Sequence, residues 1–305
     1  MNYKIATIVT NVQDILAKAA NRLMALKDGK DIVHAGGAFG AAKGGRELRA
    51  DIDIGKFIRD ELAREPWVGT ITVEGPAKEE GGEDPAGETV VREEGLWATV
   101  DPLDNSQAYK YRGHTAGLPF TIIITILSKK EGAKFSDCIV GGIIDPRTGD
   151  IWLGWQENGK YFTTINDASP MPLTVDHLDI GDTPVIGEFF YDKNRQMLVE
   201  AFTGQDGAVR NPGSAGYELV AVSDGICAAS ICRSQKQHEL GAAYVIDKGA
   251  GCLVVDFHGR DIGERPYDFV TKIPVITACN EAVMQQVLQL LEKSPLFIET
   301  RDTTL

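Results

Sequence analysis

The sequence predicts an α/β protein in two parts: an α+β first half with an antiparallel sheet, and a second half in which strands and helices alternate. Three observations predict it. The chain has 305 residues, about two ordinary domains in length. Apolar, β-branched runs at 96–101, 118–127, 138–145 and 150–155 are separated by turn signals such as Asp145-Pro146 and Thr148-Gly149, the pattern of hairpins. From about residue 180 onward, strand-like and helix-like stretches take turns. The boundary expected near 180 divides the chain into 1–180 and 181–305.

Each element has its own signal. Ile5, Ile8, Val9, Val12, Ile15, Leu16, Ala19 and Leu23 recur at helical spacing, so a long amphipathic helix opens the chain, with Asp28-Gly29 as its stop. Residues 34–50 are Gly-rich and aperiodic, a mobile loop. Helical spacing resumes at Ile52, Ile54, Phe57, Ile58 and Leu62 until Pro66 ends it. The run GTITVEG reads as a strand, and residues 75–95 as an acidic, exposed excursion. After the hairpins, TPVIGEFFY is strand-like and precedes a helix near 194–201. A helix from 213, a strand near 226–231, a helix from 237, a strand at 252–256 and a helix at 280–293 complete the alternation.

Composition excludes several function classes. With 43% hydrophobic and 25% charged residues the chain is globular. Its 31 basic against 44 acidic residues give a net charge of −13, which argues against nucleic-acid and anionic-membrane partners, since both require a basic face. The five cysteines (Cys138, Cys227, Cys232, Cys252, Cys279) are dispersed with no zinc-type spacing, the pattern of reduced thiols in a cytoplasmic protein. The opening segment is interrupted by Asn11, Gln13, Asp14 and Lys18, so it lacks the apolar core of a signal peptide, and no run reaches membrane-span length.

Three local features carry chemistry. In Trp97-Ala-Thr-Val-Asp101-Pro102-Leu103-Asp104-Asn105-Ser106 an apolar strand delivers Asp101 at its end, and Pro102 turns the chain out of the sheet. Asp104 and Ser106 are both helix-capping types. The two carboxylates can converge on a cation, with the Leu103 carbonyl freed between them; a plain turn has the same composition. In Asn211-Pro212-Gly213-Ser214-Ala215-Gly216, small residues at a helix start leave N–H groups for an anion, or form an ordinary serine cap. In His238-Glu239, a carboxylate opens an apolar helix, which is also favourable for the helix alone.

Together these features resemble the inositol monophosphatase and fructose-1,6-bisphosphatase superfamily. The resemblance rests on the DPLD-x-S corner, the Gly-Ser-Ala helix start, and an acid opening a helix that ends in Lys248-Gly249-Ala250-Gly251. Ala50-Asp51 at a helix start and Val73-Glu74 at a strand end add to it. It implies a layered α/β sandwich with a largely antiparallel sheet and helices in the first half, a smaller mixed sheet with helices in the second, and the site between them. It implies metal ligands Glu74, Asp101, the Leu103 carbonyl, Asp104 and Glu239, with Glu79 and Glu80 competing for the place of Glu74. Asn105, Ser106, Gly213, Ser214 and Ala215 would hold the substrate phosphate, while Asp51 and Ser106 orient the attacking water. Hard oxygen ligands select Mg²⁺, or Mn²⁺, and the resemblance implies two or three such ions. The implied reaction is hydrolysis of a small polyol or sugar phosphate by metal-activated water. Homodimers are frequent in the superfamily.

Asn105 stands where the superfamily usually has Gly, and Asn tolerates the left-handed conformation. Glu239 follows His238, where inositol monophosphatases carry Trp-Asp; Glu and the AYVIDKGAG segment are closer to fructose bisphosphatases. Fructose-1,6-bisphosphatase or dual activity is therefore the alternative, with a catalytically silent binding member a further one. Lys43 or Arg46 in the Gly-rich loop would meet phosphate, or the loop is simply solvated. A serine hydrolase built on Ser214 is disfavoured, because Pro-Gly-Ser-Ala-Gly lacks the first Gly of a nucleophile elbow. Trp152 and Trp155 read as packing residues.

Overall fold

The computed structural model describes residues 3–26, 32–34, 46–74, 87–111, 117–172, 185–187, 192–203 and 209–302. Asp28, Gly29, Lys43, Glu79, Glu80, His114 and His177 lie outside the described residues, as does most of the Gly-rich loop.

Helix α1 (Ile5–Ala25) buries Ile8, Val12, Ile15, Leu16, Ala19 and Leu23 along one face, as their spacing requires. A short antiparallel pair, β1 (Ile32–His34) and β2 (Arg46–Leu48), leads into α2 (Arg49–Arg64). The first turn of α2 is closed by Asp51, whose Oδ2 accepts the Leu48 N–H at 3.0 Å. Then come β3 (Val68–Val73), β4 (Gly87–Val90), β5 (Leu96–Asp104), the short α3 (Ser106–Lys110), β6 (Thr121–Leu127), β7 (Cys138–Ile144), β8 (Ile151–Glu157) and β9 (Lys160–Ile165). These strands form a seven-stranded sheet in the order β4-β3-β5-β6-β7-β8-β9. Every adjacent pair is antiparallel except β3 and β5, which run parallel.

Two differences from expectation stand out here. The acidic excursion contains β4, which pairs with β3 from Thr70↔Val90 to Val73↔Gly87. The DPLD strand also does not stop at Asp101. It continues to Asp104 through a register shift, so that Pro102 and Leu103 oppose the single residue Ile122. A proline has no N–H to give the ladder, and the bulge absorbs that loss without ending the strand.

The second half holds β10 (Val185–Gly187), α4 (Asp192–Phe202), β11 (Val209–Arg210), α5 (Ala215–Val220), β12 (Ala229–Lys236), α6 (Gln237–Gly249), β13 (Leu253–Val255), β14 (Lys272–Ala278), α7 (Glu281–Leu291) and α8 (Pro295–Asp302). Its strands form a mixed five-stranded sheet, β11-β10-β12-β14-β13. Strand β12 runs five residues beyond the expected end at 231, and its polar end holds register through a bulge between Cys232 and Gln235. It then passes directly into α6, a junction that matters for the site.

Helix α6 lies between the two sheets, packed on β6 to β9 on one side and on β12 to β14 on the other. The opposite face of the larger sheet carries α1 and α2, and the far face of the smaller one carries α7 with α4 and α8 behind it. Five layers result, with apolar clusters filling the spaces between them. The wholly buried β6, TIIITIL, has a layer on each face. Neighbouring glycines on β7 set both approaches: a Cβ on Gly142 would stand 2.6 Å from Leu16 Cδ1 of α1, and one on Gly141 would stand 2.6 Å from Ala242 Cα of α6. Trp152 is buried and donates its indole N–H to Asp224 Oδ2 at 3.3 Å, whereas Trp155 stacks on Phe162. Among the described residues, no helix is long and apolar enough to cross a membrane.

Candidate active site

Because β3 and β5 run parallel, their carboxyl ends finish side by side. Val73 pairs with Val100, and the Glu74 N–H donates to the Val100 carbonyl at 2.9 Å, which sets Glu74 next to Asp101. Two residues into α6, His238 and Glu239 arrive from the other sheet's side. Glu74, Asp101, His238 and Glu239 each offer one ligand atom, and these atoms lie within 4.8 Å of one another. Three of the four are expected residues; His238 is the addition.

Asp104 closes the far side of the corner. Its Oδ2 accepts from Ser214 Oγ at 2.6 Å, the Gly216 N–H at 2.8 Å and Thr121 Oγ1 at 3.0 Å. The anion at the start of α5 is therefore this protein's own carboxylate, and the start of α5 fixes its orientation. Ser214 caps α5 as well, accepting the Tyr217 N–H at 3.3 Å. It is 0% exposed, which removes it as a nucleophile. The Gly213 N–H goes to Glu218 Oε1 at 2.7 Å.

Between Asp104 and α3 the chain turns at Asn105, with φ 62° and ψ 52°. Its Oδ1 accepts the Ala108 N–H at 3.3 Å and its Nδ2 donates to the Pro119 carbonyl at 2.8 Å. Asn105, rather than Asp104 or Ser106, is thus the cap of α3, and Ser106 is the helix's first residue. A Cβ on Gly213 would lie 3.2 Å from Asn105 Nδ2, so the starts of α3 and α5 border one another. The Asp101 Oδ1 accepts the Leu103 N–H at 3.0 Å, which locks the bulge from within. Helix α2 packs on this bulge: a Cβ on Gly55, one turn beyond Asp51, would lie 3.6 Å from Pro102 Cγ.

Two cations that the motifs did not announce enter the cluster. Lys236 Nζ lies 2.5 Å from Glu74 Oε1 and 3.6 Å from Glu239 Oε1. His238 Nε2 is 2.9 Å from Glu74 Oε2, and its Nδ1 is 2.9 Å from the Phe269 carbonyl. Both ring nitrogens face acceptors, so both carry protons while Glu74 is ionised. Gln235 donates its amide to Glu239 Oε2. The one sequence signal for Lys236 is its place three residues before Glu239, one helical turn away.

Burial and charge oppose each other at every group. Burial raises the Glu74 pKa, but the His238 and Lys236 charges outweigh it and hold the carboxyl below its usual range. Burial also pushes Asp101 up, reinforced by Glu74, Asp104 and Glu239. Glu239 is pushed up to about 7 by burial, against the pull of Lys236 and His238. Burial raises Asp104 too, while its Ser214, Gly216 and Thr121 donors resist. Lys236 and His238 are disfavoured as cations by burial, yet neighbouring carboxylates raise both. Four carboxylates face two cationic side chains, and an added cation would favour the ionised form of the three carboxylates that burial pushes up.

The model of the inositol monophosphatase family matches residues 9–296, and the chain belongs to that family. Comparison with curated proteins gave no match. Among solved structures, the SuhB extragenic suppressor protein from Bartonella henselae aligns with a TM-score of 0.70 at 19% identity, covering 94% of this chain and 99% of that one. The Thermotoga maritima IMPase aligns with a TM-score of 0.69 at 17% identity, covering 95% and 97%. An IMPase/NADP phosphatase complexed with Mg²⁺ and phosphate aligns with a TM-score of 0.68 at 14% identity, covering 94% and 95%. At these identities the likeness is one of fold.

Proposed function

We propose that the chain is a divalent-cation-dependent phosphomonoesterase acting on a small polyol or sugar phosphate. The observation that carries this reading is the convergence of Glu74, Asp101 and Glu239, from three different elements, on one point beside the Asn105-Ser106 turn. The donors there are mostly carboxylate oxygens, which suit Mg²⁺ or Mn²⁺; one structure of similar fold is an IMPase/NADP phosphatase complexed with Mg²⁺ and phosphate. Asp101, Asp104, the Leu103 carbonyl and Glu239 would hold the ions, with Glu74 beside them in the same acidic centre. Bound ions would neutralise the phosphate charge and make a coordinated water more acidic.

The chain's own groups do the positioning. Asn105 and Ser106, at the left-handed turn, present main-chain N–H groups and a hydroxyl toward the phosphate. The start of α5, from Gly213 to Ala215, walls that pocket and holds Asp104 in place. Asp51 with Ser106 orients the attacking water and accepts its proton. Catalysis is then mostly orientation and charge stabilisation, as phosphoryl transfer requires.

The test is phosphate release from a panel: polyol monophosphates, sugar monophosphates, fructose 1,6-bisphosphate and nucleotide 3′-phosphates. Turnover is expected on one of the first two groups, and preference for the bisphosphate would support the fructose-bisphosphatase alternative. Asp101→Asn should lower kcat by more than about 100-fold, beyond the cost of losing an outer partner of a metal ligand. A fully active Asp101→Asn variant, or no turnover on any member, contradicts the reading.

A further inference from the structure

We propose that the Lys236 ammonium is a resident cation of the acidic centre, occupying between Glu74 and Glu239 a place that a divalent ion would otherwise take. The proposal rests on the metal-dependent reading above and concerns how many ions this chain holds. Lys236 Nζ spans two carboxylates from different elements, the end of β3 and the first turn of α6, at 2.5 Å and 3.6 Å. The remaining oxygen of each carboxylate is also engaged: Glu74 Oε2 meets His238 Nε2 at 2.9 Å, and Glu239 Oε2 takes the Gln235 amide. Glu74 is then the counter-ion of Lys236 and His238 rather than a ligand, and the ions sit toward Asp101 and Asp104.

Local sequence gives an independent reason. Lys236 is the N-cap residue of α6 and makes no side-chain capping bond. Capping residues are those whose side chains accept from the free N–H groups, and a lysine offers only donors. The helix's positive end also repels a cation there. A lysine at this junction is unfavourable for the helix, and the two carboxylates hold it. Its side chain is half-buried, with the ammonium turned toward the two carboxylates. An ammonium and a divalent ion on the same oxygens would repel strongly at low local dielectric, so only one of them takes the place. The lysine has the advantage of its covalent tether, and no chelator removes it.

The probe is Mn²⁺, with the free ion counted by electron paramagnetic resonance during titration of the full chain. Lys236→Met and Lys236→Gln are expected to bind one Mn²⁺ more per chain than the unaltered protein, and Lys236→Arg the same number as it. A gain of binding is a result that structural damage does not produce. Equal or lower counts in the two neutral variants overturn the proposal alone. No Mn²⁺ bound by any form overturns the metal-dependent reading and this proposal with it. If the neutral variants do not fold, anomalous diffraction from Mn²⁺-grown crystals of the unaltered chain decides. Lys236 still bridging Glu74 and Glu239 is expected; Mn²⁺ ligated by Glu74 with Lys236 turned away overturns it.

Discussion

Asn105 couples backbone conformation to chemistry. At φ 62° and ψ 52°, a residue with a Cβ is strained unless its side chain compensates, and Asn105 does so with one bond to Ala108 and one to Pro119. Asn105→Ala would keep the strain and lose both bonds, a cost of about 2 kcal/mol. Asn105→Gly would lose the bonds but relieve the strain, so its urea midpoint should lie between those of the alanine variant and the unaltered chain. An alanine variant as stable as the glycine variant would contradict this account of the turn. At this scale residue type and spacing alone left Asp101, Asp104 and Glu239 open to plain turn and helix-start readings; the family resemblance singled them out, and the structure brings Asp101 and Glu239 to one cluster. The sequence was opaque at Lys236 and Gln235. Nothing in SQKQHEL says that a strand runs straight into a helix, so that Lys236 points inward. His238 was visible only as a departure from Trp.

Elements differ in how openly they are written. The helices α1 and α2 and the strands β5 to β8 carry long apolar patterns, and they fall where those patterns lie. Strand β14 was missed although KIPVITA is apolar, because Pro274 reads as an edge signal while the strand lies between β12 and β13. Strand β9 was missed because it lies at the edge of the sheet with Lys160 and Phe162 exposed, so its apolar pattern is broken. Helix α8 begins with Pro295, which suits a first helical turn and was not read as a start. Packing between elements was not legible at all. The GG pair of β7 gave no sign of its role, yet Gly141 admits α6 and Gly142 admits α1. Gly141→Ala should therefore destabilise the protein by about 1–3 kcal/mol, read from urea unfolding, as overpacking does. It should also lower activity, since α6 carries Glu239. Unchanged stability would show that the α6 approach is looser than described.

At the scale of the whole molecule, the two sheets are what bring the site together. The larger supplies Glu74, Asp101 and Asp104; the smaller, through β12 and α6, supplies Lys236, His238 and Glu239. A net charge of −13 is mostly an acidic coat, but four of the carboxylates are gathered at one centre with two cationic side chains beside them. Burial and mutual repulsion push Asp101, Asp104 and Glu239 toward their neutral forms, and divalent ions would favour the ionised ones. The central claim is that these ions are required for phosphate ester hydrolysis, and the dependence of phosphate release on free Mg²⁺ tests it most directly. The account predicts no release in excess chelator, a saturable rise as Mg²⁺ is restored, and no rise for Asp101→Asn. Release that continues undiminished in chelator would contradict it.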